Sequence, residues 1–231
     1  MLPAARVAIY YAPLPGDPLT ALSSSWLGRD PVSGAPVPQP PLDGIEEFTA
    51  EPRAYGFHAT LKPPMRLIDG TAWTDFKAAV HTLAAGIAPF ELPPMAVCDL
   101  RGFLALREVA PCPGLQAFAD ACVGQLDSFR SPTPADELAR RRKAKLTAEQ
   151  DEMLVRWGYP YVFGTWFFHM TLTRRLSDEE KFVIMPAAKD YFPPALAVPR
   201  RVEDICIFIQ RAPGTAFVLA ERMRLRGSAR R

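Results

Sequence analysis

Apolar and polar residues alternate along this chain in a way that separates short strands from amphipathic helices. From Arg6 to Ala12 the period is two. Val7, Ile9 and Tyr11 share one face and Ala8 and Tyr10 the other, which predicts a strand. Asp17-Pro18 opens a helix to about Leu27, with the aspartate as N-cap and the proline at the first helical position. Residues 28–44 carry prolines and glycines without periodicity, a loop long enough to suggest a functional role such as a lid. A short helix is expected over 45–51. Trp73, Phe76, Val80, Leu83, Ala84 and Ile87 then form the buried stripe of a helix capped at Thr71. A strand pair near 90–100 and 102–109 precedes a helix over 113–129, whose Leu115, Phe118, Cys122, Leu126 and Phe129 recur at helical spacing. Thr133-Pro134-Ala135-Asp136 starts another helix, running into a basic stretch from Arg140 to Lys145. Thr147–Gln150 and Ser177–Glu180 are capping boxes. The first opens a helix ended by Gly158-Tyr159-Pro160, the second a helix that Pro186 bends. A last strand pair spans 202–210 and 216–225.

Two stretches read almost alike: Phe57-His58-Ala59-Thr60-Leu61 and Phe168-His169-Met170-Thr171-Leu172. As strands, the second over about 164–174, they send Phe57, Ala59 and Leu61, and Phe168, Met170 and Leu172, into a core. His58 and Thr60, and His169 with Thr171 and Thr173, come out together on the other face. A helix would splay each His and Thr about 200° apart. One imidazole beside one hydroxyl, made twice, suits a phosphate ester. A neutral ring takes a proton while a protonated one gives it, and the hydroxyls donate to non-bridging oxygens. His169 is taken as base and His58 as acid, an assignment the sequence alone does not decide. The third histidine, His81, lies in a helix without a threonine partner and reads as structural. Two histidines without neighbouring Asp, Glu or Cys ligands make a poor metal set, so no metal and no cofactor are expected. Lys62 shares the parity of His58 and Thr60 and is a candidate phosphate cation, with Thr173 at the matching place of the second motif. Tyr11 and Tyr161 complete the candidate substrate-binding set, with core packing as the alternative for each. Tyr55, Arg53 and Arg101 are more readily explained by packing or salt bridging.

The paired H-x-T-L strands resemble the two-histidine phosphoesterase superfamily, whose members open or form cyclic phosphates and trim RNA ends. Ala8-Ile9-Tyr10-Tyr11-Ala12-Pro13 and the run from Tyr55 to Pro64 are similar to a bacterial branch associated with phosphonate degradation, and the resemblance covers most of the chain. It implies an α+β fold of two pseudo-symmetric lobes, each an antiparallel sheet with helices on the outside, facing across a central cleft. The matching order of helix and strand pair after each motif implies the same. Residues 1–231 would then be one two-lobed domain. The implied activity is a metal-independent cyclic phosphodiesterase acting on a small ribose cyclic phosphate, with 5-phosphoribosyl 1,2-cyclic phosphate as the natural candidate. The alternatives are an RNA-end 2′,3′-cyclic phosphodiesterase or RNA ligase, and a non-catalytic phosphometabolite-binding protein.

Composition narrows the partners. A formal net charge of +2 over 231 residues gives no electrostatic case for coating long nucleic acid, so the expected partner is a small phosphorylated sugar or nucleotide. Hydrophobic residues make up 48%, enough for a substantial core. The four cysteines have no C-x-x-C spacing and read as reduced thiols. The N-terminus shows no basic segment followed by a long apolar run, and no apolar stretch approaches the roughly 20 residues of a membrane helix. Cytoplasmic location and no membrane partner are therefore expected.

Overall fold

The computed structural model describes residues 5–228. Seven antiparallel strands form one sheet in the order β4 (Met95–Asp99), β5 (Leu104–Glu108), β6 (Met170–Thr171), β2 (Ala59–Met65), β1 (Arg6–Tyr11), β8 (Asp204–Gln210) and β9 (Val218–Arg224). The fold is α+β, and its pseudo-symmetric lobes are the two halves of this sheet, each built around one motif strand. They meet along a seam where Ala59 pairs with Met170. Trp166 crosses the seam as well, its Nε1–H donating to the Thr60 carbonyl at 2.8 Å.

The hairpins are exchanged between the halves. β4 and β5 follow the first motif in the chain but extend the sheet from β6 of the second, while β8 and β9 follow the second motif and lie in the half that holds β2. β3 (Phe90–Leu92) and β7 (Arg200–Val202) hold equivalent places after the two motifs and pair with each other. Each half thus depends on chain from the other.

Strand alternation decides which face is covered. Val7, Ile9, Tyr11, Ala59, Leu61, Leu104, Leu106, Met170, Ile205 and Ile207 point into the main core. There they meet helices α1 (Pro18–Leu27), α4 (Trp73–Ala85), α5 (Pro113–Leu126) and α8 (Asp178–Tyr191), numbered among α2 (Ile45–Phe48), α3 (Ala50–Tyr55), α6 (Ala135–Arg142), α7 (Ala148–Trp157) and α9 (Pro193–Leu196). Full burial of side chains such as Phe76, Phe118 and Phe192 stabilises this layer by about 1.5–3 kcal/mol each. The opposite face carries a smaller cluster, Ala8, Tyr10, Ala12, Cys206, Phe208 and Phe217. The caps at Asp17, Thr147 and Ser177 form as the sequence predicts, but α4 starts at Trp73 with Ala72, not Thr71, at its N-cap and no side-chain bond there. Asp17 accepts from the Leu19 N–H, and Thr147 and Ser177 close capping boxes with Gln150 and Glu180.

Three expectations change. The second motif strand is much shorter than 164–174. A turn of 3-10 helix occupies Phe163–Thr165, and the pairing ends after Thr171 because Leu172 and Thr173 both turn their N–H groups onto the Leu104 carbonyl. The 28–44 loop is pinned rather than free-standing. Arg29 donates to the carbonyls of Arg53, Ala54 and Phe217, Gln39 to that of Trp26, and the Pro31 carbonyl takes the Leu219 N–H. Third, Lys62 does not share the face of His58 and Thr60. Ile9 pairs with Lys62 but Tyr10 with Thr60, so a bulge at Leu61 inverts the alternation. Lys62 passes into the core side, buried, and donates to Asp127 Oδ1 at 2.9 Å and the Val123 carbonyl at 3.2 Å. Arg130 grips the same carboxylate through Nε and a terminal nitrogen. Lys62 therefore ties β2 to α5.

Burial lowers the Lys62 pKa and Asp127 opposes the shift, so the ammonium depends on its carboxylate. Asp127→Ala is expected to lower unfolding free energy by on the order of 3 kcal/mol in urea titrations, because it strands a buried charge. Lys62→Met, which fills the same path without charge, is expected to cost clearly less. Equal losses would contradict this account of the pair.

Candidate active site

The seam positions the chemistry. With Ala59 opposite Met170 in antiparallel register, His58 comes opposite Thr171 and Thr60 opposite His169. All four side chains share the uncovered face, with cross-strand neighbours about 4.5–5.5 Å apart at Cβ. The two H-x-T units are thus brought together as one four-residue group about a local two-fold axis. All four are half-buried, between the core residues that alternate with them.

Both imidazoles are held in the same way. His58 Nδ1 lies 2.8 Å from the Gly56 carbonyl, and His169 Nδ1 lies 3.2 Å from the Phe167 carbonyl, two residues back in each case. A carbonyl only accepts, so Nδ1 carries the hydrogen in both rings and Nε2 is the nitrogen left for chemistry. Thr60 Oγ1 stands 3.2 Å from His58 Nε2. Gly56 is needed where it is. Its φ is 76°, and a Cβ there would come within 2.8 Å of Pro31 Cβ.

Aromatic rings pack each histidine. Tyr10, paired with Thr60, stacks on His58 at 3.6 Å between centroids and 16° between planes. Phe167 stacks on His169 at 4.8 Å, and Phe103 meets it edge-on at 6.0 Å. The His58 pKa falls to about 4, chiefly through burial, with the charge of His169 adding to the shift and the Gly56 carbonyl opposing it. The His169 pKa is also lowered, by burial first, with the Phe167 carbonyl opposing and Arg107 adding to the fall. Among the described residues no three His, Cys, Asp or Glu side chains cluster to hold a metal ion.

The expected substrate-binding residues separate. Tyr161 lies on the site side, 5.6 Å from Tyr159 and 6.3 Å from Phe167 between ring centroids. Tyr11 does not. It packs in the main core near Phe168, because β1 turns Tyr10 and not Tyr11 toward the histidines. Lys62 is removed by the bulge. Thr173 is buried, its hydroxyl accepting the Leu104 N–H at 2.9 Å, so it closes the end of β6 instead of facing a ligand. Arg53 holds the Leu27 and Glu46 carbonyls, Arg101 lies in the β4–β5 turn with a φ of 54°, and Tyr55 stacks on Phe217 with 41% exposure. His81 is exposed on α4. Tyr10 and Arg107 are site-face residues that the motifs alone do not announce. Strand parity was the available signal, since Tyr10 alternates away from Ile9 and Tyr11, and Arg107 away from Leu104 and Leu106. A cavity of about 750 Å³ lies elsewhere, at the β9 edge beside Val32, Trp73 and Leu219, and none of the four motif residues lines it.

Residues 60–218 match the family described as Protein of unknown function (DUF1045). The chain is 37% identical to ribose 1,5-bisphosphate phosphokinase PhnN of Janthinobacterium sp. (strain Marseille), over 98% of this chain and 52% of that protein. It is 35% identical to the protein of the same name from Laribacter hongkongensis (strain HLHK9), over 93% and 50%. The chain therefore spans about half the length of the curated relatives it matches. Among solved structures it is similar to TT0787 of Thermus thermophilus, at 16% identity and a TM-score of 0.47 over 97% of this chain and 100% of that one. It is similar also to apo LigT of E. coli, at 15% identity and a TM-score of 0.45 over 96% and 97%. No described helix is long and apolar enough to cross a membrane.

Tyr10→Ala is expected to admit water beside the His58 ring and move its pKa up from about 4 toward the ordinary histidine value. Proton NMR titration of the imidazole reads this directly. An unchanged value would show that Tyr10 does not set the environment of His58.

Proposed function

The chain belongs to the DUF1045 family, and on that premise we propose that it is a metal-independent phosphodiesterase that hydrolyses a small ribose cyclic phosphate, 5-phosphoribosyl 1,2-cyclic phosphate being the natural candidate. The observation that carries the reading is the pair of imidazoles on one sheet face, each with Nδ1–H held by a backbone carbonyl and Nε2 left for proton transfer.

The reaction follows from that pair. Neutral His58 takes a proton from water as its oxygen attacks phosphorus, the ring P–O bond breaks, and protonated His169 gives its proton to the departing sugar oxygen. This reverses the roles assumed from sequence. Burial under Tyr10 takes the His58 pKa down to about 4, which keeps that ring in the proton-accepting form. Thr60 and Thr171 donate to the non-bridging oxygens as charge builds on them.

The substrate is favoured by the names of the relatives. If the bond to the 2-oxygen breaks, phosphate stays on carbon 1 and the product is ribose 1,5-bisphosphate, the compound named for the kinases that match this chain over about half their length. A kinase reading of this chain itself is not supported by its residues. The sequence has no Gly-x-x-x-x-Gly-Lys loop to cradle a nucleotide, and paired histidines suit proton transfer rather than phosphoryl transfer to an alcohol. With a net charge of +2, a small substrate remains favoured over an RNA end.

Phosphorus NMR of the metal-free protein with 5-phosphoribosyl 1,2-cyclic phosphate and with a nucleoside 2′,3′-cyclic phosphate tests the proposal. Turnover of the first to ribose 1,5-bisphosphate is expected, with His58→Ala and His169→Ala each reducing it roughly 10²–10⁴-fold. Turnover of the nucleotide alone would move the activity to RNA ends, and silence on both would remove the hydrolase reading. The pH dependence follows from the two shifts. Activity rises as the base loses its proton and falls as the acid loses its own. A bell in kcat/KM is therefore expected, with its acid limb near 4 and its alkaline limb below the ordinary histidine value of about 6.5. A profile still rising above neutral pH would contradict the assignment.

A further inference from the structure

We infer that Arg107 holds a second, non-reacting phosphate of the substrate, a phosphomonoester on the same sugar, and so selects which cyclic phosphates are used. This rests on the cyclic-phosphodiesterase reading for the phosphate that reacts.

Placement comes first. Ala105 pairs with Thr171 and Leu106 with Met170, so the next residue, Arg107, stands opposite His169 on the site face. Its guanidinium carbon lies 5.7 Å over the centroid of Phe167, the ring that stacks on His169. The cation is therefore one aromatic ring away from an imidazole of the reacting pair, displaced toward the outer end of β5.

Its hydrogen bonding is incomplete. Arg29, Arg107, Arg141 and Arg222 each have a buried guanidinium nitrogen without a partner. Three of them are otherwise engaged at short range. Arg29 donates to the Phe217 carbonyl at 2.8 Å, Arg141 to Glu137 at 2.7 Å, and Arg222 to Asp204 at 2.8 Å. Among the described residues Arg107 has one polar contact, 3.4 Å to Oε1 of the adjacent Glu108, long for a charge-assisted bond. A planar guanidinium with its Nε–H and a terminal N–H unfilled matches two oxygens of a phosphate.

Charge gives the same direction. Arg107 depresses the pKa of His169. A dianion seated on Arg107 cancels that effect and favours the protonated imidazole that serves as the acid. A substrate with the second phosphate is then helped in both binding and proton transfer.

The test compares 5-phosphoribosyl 1,2-cyclic phosphate with ribose 1,2-cyclic phosphate in steady-state kinetics, and adds calorimetric titration of ribose 5-phosphate. The wild-type protein is expected to prefer the phosphorylated substrate. Arg107→Met is expected to lower kcat/KM for that substrate roughly 10- to 100-fold, as for loss of a charged hydrogen-bond pair, and to weaken ribose 5-phosphate by a similar factor. The unphosphorylated substrate should show no such loss, and the alkaline limb of its pH profile should move up, because the cation that depresses His169 is gone. Arg107→Lys, which keeps the charge but not the fork, should recover part of the loss and confirms that the fold survives. Equal losses on both substrates, or ribose 5-phosphate binding that is absent in the wild type or unchanged in Arg107→Met, would overturn the assignment. If no cyclic phosphate is hydrolysed while Arg107→Met still loses ribose 5-phosphate, the hydrolytic reading fails and the phosphate subsite stands.

Discussion

The pairing of Ala59 with Met170 is the contact on which the rest of this protein depends. It is short, a single pair at the junction of two larger sheet halves, yet it fixes the register of both motifs at once. Because side chains alternate with period two, a slip of one residue would turn one histidine into the helical core and bring Ala59 or Met170 to the open face. The surroundings guard against that slip. Phe57, Leu61, Phe168 and Leu172 are all buried on the core side, and Trp166 crosses the seam to the Thr60 carbonyl. The exchanged hairpins add a topological constraint, since neither half can form its sheet without strands that follow the other motif.

Within that frame the two imidazoles are set by small local devices. A backbone carbonyl two residues before each histidine fixes the tautomer, and a flat aromatic ring beneath each imidazole fixes its tilt. Desolvation then lowers the pKa of both rings, to about 4 at His58. Two chemically identical side chains sit among different neighbours, Tyr10 on one side and Phe167 with Arg107 on the other. Unequal affinities in a related pair are the condition for one to act as base and the other as acid. The single glycine at 56 is part of the same device, since its positive φ delivers the carbonyl that orients His58.

Other polar groups serve the scaffold. The Lys62–Asp127–Arg130 cluster ties the first motif strand to α5, Arg200 clamps Asp17 at the start of α1, and Arg174 joins Glu47 to Glu180 across three segments. Each of these cations is engaged by a carboxylate. Arg107 differs from them in that its buried Nε–H has no partner and its one carboxylate contact, to Glu108, is long at 3.4 Å.

The sequence by itself determined the places of the two motif strands, the faces of β1, the helices with the caps at Asp17, Thr147 and Ser177, and the pseudo-symmetric order of elements after each motif. All of these follow from local periodicity and capping chemistry, which act within a few residues. Tertiary structure decided the rest. A bulge at Leu61 carried Lys62 to the core side, although parity counted from His58 put it on the site face, because one extra residue on one strand reverses the alternation until the second register shift before Met65 restores it. Early termination of β6 diverted Thr173 onto the Leu104 N–H. The partner strands chose Tyr10 over Tyr11 and brought Arg107 beside His169, although the chain separates each from the residue it meets. How far the pKa of His58 falls was likewise out of reach of the sequence, because burial and ring stacking are properties of neighbours supplied by strands distant along the chain.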